Sequence, residues 1–129
     1  MRYVLMTFVS PEHADAWLEM SADEKQADID RTLAWFRQHA ALGRIVGGEE
    51  LGWPKAARTV RRKGVTDGPF IETKELLGGF IVVDVASQAD ALEMAAGWPG
   101  LDWAGDAVEV RPVGSSEAEA NVQRGLAAD

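Results

Sequence analysis

Between Asp67 and Lys74 the chain gathers a rigid turn, an aromatic ring, two acids and an ammonium, the densest set of reactive side chains in the sequence. Asp67 opens the string Asp67-Gly68-Pro69-Phe70, and a carboxylate partly buried against Phe70 at the mouth of such a turn is placed for proton transfer. Glu72 supplies a partner acid, and Lys74 an ammonium to hold developing negative charge. The chemistry this suggests is cofactor-free acid/base work on a small organic substrate, with Asp67, Glu72 and Lys74 as the catalytic set. The same residues have a structural reading. Aspartate in Asp-Gly-Pro accepts hydrogen bonds from its own turn backbone, and if residues 70–75 are extended, Glu72 and Lys74 share one face while Glu75 takes the other.

A second group suits ligand binding: Glu49, Trp53, Phe70 and Arg111. Glu49 and Glu50 alternate across a strand, so one of them is expected to face a buried or interfacial side, where the forked guanidinium of Arg111 is a suitable partner. Trp53, Trp98 and Trp103 fall near glycines in loops, where aromatics either line a pocket or plug a loop core. Asp84 interrupts an apolar strand and is read as its exposed end. Of the two histidines, His13 lies in a short polar segment that reads equally as loop or single helical turn. His39 lies in a last helical turn, where the helix dipole favours its cation.

Other chemistries are excluded. The absence of cysteine removes thiolate nucleophiles, disulfides, iron–sulfur clusters and zinc knuckles, and is compatible with a reducing, cytoplasmic setting. Gly47 and Gly52 have the outer spacing of a phosphate loop, but Trp53-Pro54 stands where Lys-Ser/Thr is needed. No metal-ligand spacing, nucleophile elbow or dinucleotide fingerprint occurs, so no cofactor or metal is expected. A net charge of −8 on 129 residues argues against nucleic acid and anionic membranes as partners. The apolar N-terminal run is too short to span a bilayer.

The elements that position these residues follow from periodicity. Residues 2–9 are β-branched and aromatic and form a strand that Pro11 stops. Ser21-Ala22-Asp23-Glu24 is a capping box, Ile29, Leu33, Phe36 and Ala40 repeat on one helical face, and Gly43 ends the helix, predicting it over 22–42. A glycine-rich strand follows from Ile45 to Leu51, then a charged hairpin over 58–66 at a sheet edge. Phe80 to Val85 is a strand, Ser87 caps a second helix, and Ala107 to Val113 alternates as the last strand. The order is an α+β, ferredoxin-like βαββαβ sheet with an inserted hairpin, in one domain over 1–113. Residues 114–129 form a tail whose Ser116-Glu117-Ala118-Glu119 and Ala118, Val122, Leu126 stripe predict a short docking helix.

Helices cover one face of such a sheet, so its strands should alternate between apolar and polar. Residues 3–9 and 80–85 are apolar on both faces. A second copy packed sheet on sheet is the economical cover, and a homodimer is expected.

The string Thr66-Asp67-Gly68-Pro69-Phe70-Ile71-Glu72-Thr73-Lys74-Glu75-Leu76-Leu77-Gly78-Gly79-Phe80 resembles the signature of DGPF proteins in the YCII-related family, with Gly47-Gly48-Glu49-Glu50-Leu51 and Val108-Glu109-Val110-Arg111-Pro112 at its accessory motifs. The resemblance implies a bacterial protein forming a dimeric α+β barrel. It also implies either a small-molecule enzyme or a non-catalytic ligand-binding or regulatory module associated with extracytoplasmic-function sigma factors. Better-understood relatives are thought to use a His–Asp pair for acid/base chemistry; position along the chain singles out neither His13 nor His39 for it.

Overall fold

The computed structural model describes residues 1–70 and 76–114. The expected tail helix, and Glu72 and Lys74, lie outside the described residues. In chain order the elements are β1 (Arg2–Val9), α1 (Pro11–Glu19), α2 (Ala22–Ala41), β2 (Ile45–Glu50), β3 (Arg58–Arg61), β4 (Gly64–Asp67), β5 (Leu76–Asp84), α3 (Gln88–Ala96) and β6 (Ala107–Pro112), with 3-10 turns at Pro54–Ala56 and Pro99–Asp102. The main sheet runs β2-β5-β1-β6 and is antiparallel throughout. This is the ferredoxin-like α+β arrangement, in which each helix-bearing crossover skips one strand. None of the described helices is long and apolar enough to cross a membrane.

Serines start all three α-helices among the described residues. Ser10 accepts from the His13 N–H at 3.2 Å, Ser21 from the Glu24 N–H at 3.1 Å and Ser87 from the Asp90 N–H at 3.2 Å. Each bond satisfies a donor that the first helical turn leaves orphaned. The segment after β1, open between loop and helical turn in sequence, is thus a helix of 9 residues. Pro11 occupies its first turn, where a missing N–H costs nothing. It stops the strand because it starts the helix.

The core lies between the sheet and helices α2 and α3. It consists of Tyr3 and Leu5 from β1, Ile81 and Val83 from β5, Val85 just beyond β5, Trp35 from α2, and Ala91, Met94 and Ala95 from α3. Trp35 is buried whole because its indole N–H has a partner, the Met94 carbonyl at 3.1 Å. Trp98 and Phe36 each meet it edge to face. The core face of α2 is Trp35 and His39, not the stripe Ile29, Leu33, Phe36 and Ala40 read from sequence: of that stripe Phe36 packs against the core, whereas Ile29 and Leu33 remain well exposed.

The other face of the sheet carries Val4 and Met6 of β1 opposite Val82 and Phe80 of β5, all only half-buried. The charged hairpin does not extend the main sheet. Among the described residues β3 and β4 pair only with each other, leaving Val60 and Val65 exposed.

His39 is the titratable group that the core constrains most. Its ring is buried against Trp35 at a centroid distance of 4.7 Å, and Nδ1 finds no hydrogen-bond partner among the described residues. Burial lowers its pKa from 6.5 and the Arg44 guanidinium lowers it further, against a smaller opposing pull from Glu93. A folded value below the unfolded one favours the neutral ring. The stability this contributes is present above pH 6.5 and lost as the pH falls from there through the lower folded value. Wild type should therefore lose more stability than His39→Gln between pH 7 and about pH 5 in urea titrations. A constant difference between the two proteins across that window would show that His39 does not titrate on unfolding.

Candidate functional site

The turn from β1 into α1 presents His13 at the third helical position, which the Ser10 cap and Pro11 fix. β6 lies beside β1 in the sheet, so the residue that precedes it, Asp106, arrives next to this turn. Its carboxylate is bound through both oxygens. Oδ1 accepts the Ser10 backbone N–H at 2.8 Å, and Oδ2 lies 2.6 Å from His13 Nδ1, joining residues 93 apart in sequence. The side chains of His13 and Asp106 are 13% and 4% exposed. A carboxylate only accepts, so this bond keeps a proton on Nδ1 and leaves the Nε2 lone pair to act. Trp103 stacks on the imidazole at 4.4 Å and within 8° of parallel, fixing the plane of the ring.

Small residues make this packing possible. At Gly105, where φ is +92°, an added Cβ would lie 3.1 Å from Ser10 Cβ. At Gly100 it would lie 2.7 Å from the indole nitrogen of Trp98. Glycine lets both loops close on the pair.

His13 and Asp106 line a cleft of about 1010 Å³ between α2 and the sheet, a volume suited to a small organic molecule. Ile29, Leu33 and Phe36 line it from α2, Trp17 from α1, and Thr7 and Gly79 from β1 and β5. The exposed Ile29 and Leu33 of the α2 stripe are thus cleft residues. Thr7 is held by donating its hydroxyl to the Gly79 carbonyl at 3.3 Å. Gly79 itself must be small, since a Cβ there would stand 2.9 Å from the Glu49 carbonyl oxygen.

The residues singled out from sequence are dispersed. Asp67 ends β4 with its side chain 90% exposed, paired with Arg58 at 3.1 Å, and it is not among the cleft-lining residues. Phe70 is exposed too, beneath the Arg61 guanidinium at 5.0 Å. Arg111 does not reach Glu49 or Glu50. β6 and β2 are opposite edges of the sheet, three strand spacings or roughly 14 Å apart. Arg111 pairs instead with Glu109 at 3.1 Å. Asp84 is the exposed last residue of β5, as its position in the strand suggests. Glu49 and Trp53 do border the cleft.

Sequence reasoning missed His13 and Asp106. The signal for His13 was Ser10-Pro11, which is a helix cap followed by a first-turn proline and places the histidine in that turn. Asp106 had no local signal, because only the adjacency of β1 and β6 brings it in.

An Asp106→Asn variant tests the pairing. An amide offers either oxygen or nitrogen to the ring, so nitrogen-15 spectra should show His13 held as the Nδ1–H tautomer in wild type and losing that preference in the variant. Loss of the charged acceptor should also cost about 1–3 kcal/mol of stability. An unchanged tautomer would mean that Asp106 does not orient the ring.

Residues 1–115 match the YCII-related domain family. The chain is also similar to an uncharacterized protein of Rhizobium meliloti (strain 1021), 30% identical over 117 residues that cover 88% of this chain and 92% of the relative. The half-open cleft and its buried His13–Asp106 pair are therefore features of a protein that belongs to the YCII-related family.

Proposed function

We propose that this protein is a cofactor-free acid/base enzyme acting on a small organic substrate, with His13 as the proton-transferring group and Asp106 as the residue that orients it. The observation that carries this reading is the imidazole lining an apolar cleft with its Nδ1 side engaged by a buried carboxylate. In that arrangement Nε2 takes a proton from substrate, the imidazolium is stabilised by Asp106, and the same nitrogen returns the proton at another atom. Asp67 has no part in this step. A purely ligand-binding or regulatory module associated with sigma factors would use the same cleft without needing the oriented imidazole.

Hydrogen–deuterium exchange into small ketones and lactones, followed by proton NMR, separates the two. Wild type should accelerate exchange for at least one carbon acid of the panel. His13→Gln should lower that rate about 10²–10⁴-fold while leaving the melting temperature within a few degrees of wild type. Equal rates for wild type and His13→Gln would remove the acid/base role.

A homodimer fits the same molecule. Val4, Met6, Phe80 and Val82 form a continuous apolar patch on the helix-free face, and sheet-on-sheet packing by a second copy would bury it. Light scattering at micromolar concentration should return twice the 14.0 kDa of one chain, and Met6→Asp with Phe80→Asp should shift the protein to monomer. A wild-type mass of 14.0 kDa at every concentration would refute the dimer.

A further inference from the structure

The charges around the cleft are all of one sign. Asp28, Glu49, Glu50 and Asp106 line it, and among the described residues no lysine or arginine does. Two cations of α2 are already engaged. Lys25 holds its ammonium 5.7 Å from the Trp17 ring centroid, and Arg31 binds Asp28 at 2.6 Å. Asp106 is likewise satisfied by His13 and Ser10. That leaves Glu49 and Glu50, the last two residues of the edge strand β2, with no ion pair among the described residues. Both are exposed. Glu50 pairs with Gly79, so its side chain leaves the strand on the cleft side, while Glu49 pairs with Phe80, so its side chain leaves on the helix-free face.

A carboxylate or phosphate ligand entering this cleft would meet the Glu50 carboxylate at the mouth and, among the described residues that line it, the imidazole as the one candidate cation. The net charge of −8 adds a long-range penalty of the same sign. An ammonium gains from each of these features. Trp17, Phe36, Leu33 and Trp53 offer the aromatic and aliphatic surface that an amine's hydrocarbon body needs, and tryptophan faces also attract cations.

We infer that the cleft selects cationic amines with an aromatic or aliphatic body, the body resting against Trp17, Leu33 and Phe36 and the ammonium directed to Glu50. The inference rests on the cleft beside His13 being the working site and adds to it the charge class of the ligand. It makes Glu50 a specificity residue at the rim, separate from the proton-transferring pair.

Tryptamine, tryptophol and indole-3-propionate share one ring and differ in charge, so they serve as probes. Binding to the full-length chain is followed by the indole N–H signals of Trp17 and Trp53 in proton–nitrogen spectra. Tryptamine should bind tightest and indole-3-propionate weakest. Glu50→Gln should weaken tryptamine roughly fivefold and leave tryptophol unchanged, the size expected for an exposed ion pair. Raising salt to 0.5 M should narrow the gap between the amine and the alcohol. Binding of indole-3-propionate as tight as that of tryptamine, an unchanged tryptamine affinity in Glu50→Gln, or no shift with any probe would each overturn the inference. His13→Gln separates it from the acid/base reading. Amine preference that persists there while exchange is lost supports both; loss of exchange in His13→Gln without amine preference in wild type sinks the ligand class alone. Amine preference with exchange intact in His13→Gln upholds the ligand class and removes the catalytic role.

Discussion

Asp106 joins three parts of the molecule through one carboxylate. One oxygen holds the backbone of Ser10 and the other holds the ring of His13, so the end of β1, the start of α1 and the entry to β6 are tied at a single point. The Ser10 cap depends on the same turn, because its hydroxyl satisfies the His13 N–H whose side chain Asp106 orients. Local helix chemistry and long-range sheet pairing therefore converge on one histidine. The sheet order β2-β5-β1-β6 makes this possible, since any order separating β6 from β1 would carry Asp106 away from the turn.

Helix α2 serves two surfaces. Trp35 and His39 pack into the core, while Ile29 and Leu33, nearer the N-terminus, wall the cleft. The stripe Ile29, Leu33, Phe36, Ala40 has the spacing of a core face, and hydrophobic periodicity alone cannot distinguish a core from the wall of an open site. Exposure makes the distinction here. Large apolar residues that border an open cleft remain available to a ligand, and the core gets its closure from the interlocked rings of Trp35, Phe36 and Trp98.

What could be read from the chain was mostly local. β1, α2, β5, α3 and β6 were legible because two-fold or 3.6-fold repeats, serine caps and terminal glycines all act within a few residues. The order of those elements was enough to indicate the ferredoxin-like sheet. The site was hidden for the opposite reason. Asp106 and His13 meet across 93 residues of chain, and α1 is a helix of 9 residues whose apolar residues all stay partly exposed, so no apolar repeat announces it. The Asp67 segment misleads by density. Its aspartate lies on a ribbon that pairs only with itself, where Arg58 and solvent meet the needs of its charge. Arg111 and Glu49 misled through a different gap, since residue types suggest an ion pair but only strand order can forbid one.

The dyad is also organised before any ligand arrives. A carboxylate only 4% exposed is costly to keep charged unless its oxygens are matched, and here a backbone N–H and an imidazole N–H match both. Trp103 restricts the ring from one face, and the glycines at 100 and 105 let the surrounding loops close without a Cβ in the way. In the proposed acid/base reaction this would leave little reorganisation for the moment of proton transfer, which is where preorganised polar groups reduce a barrier most. The mouth of the cleft, by contrast, is built from exposed side chains on an edge strand and a following 3-10 turn. Glu50 and Trp53 can therefore change without disturbing the hydrogen bonds that hold His13, so the mouth of the cleft is physically separable from the pair inside it.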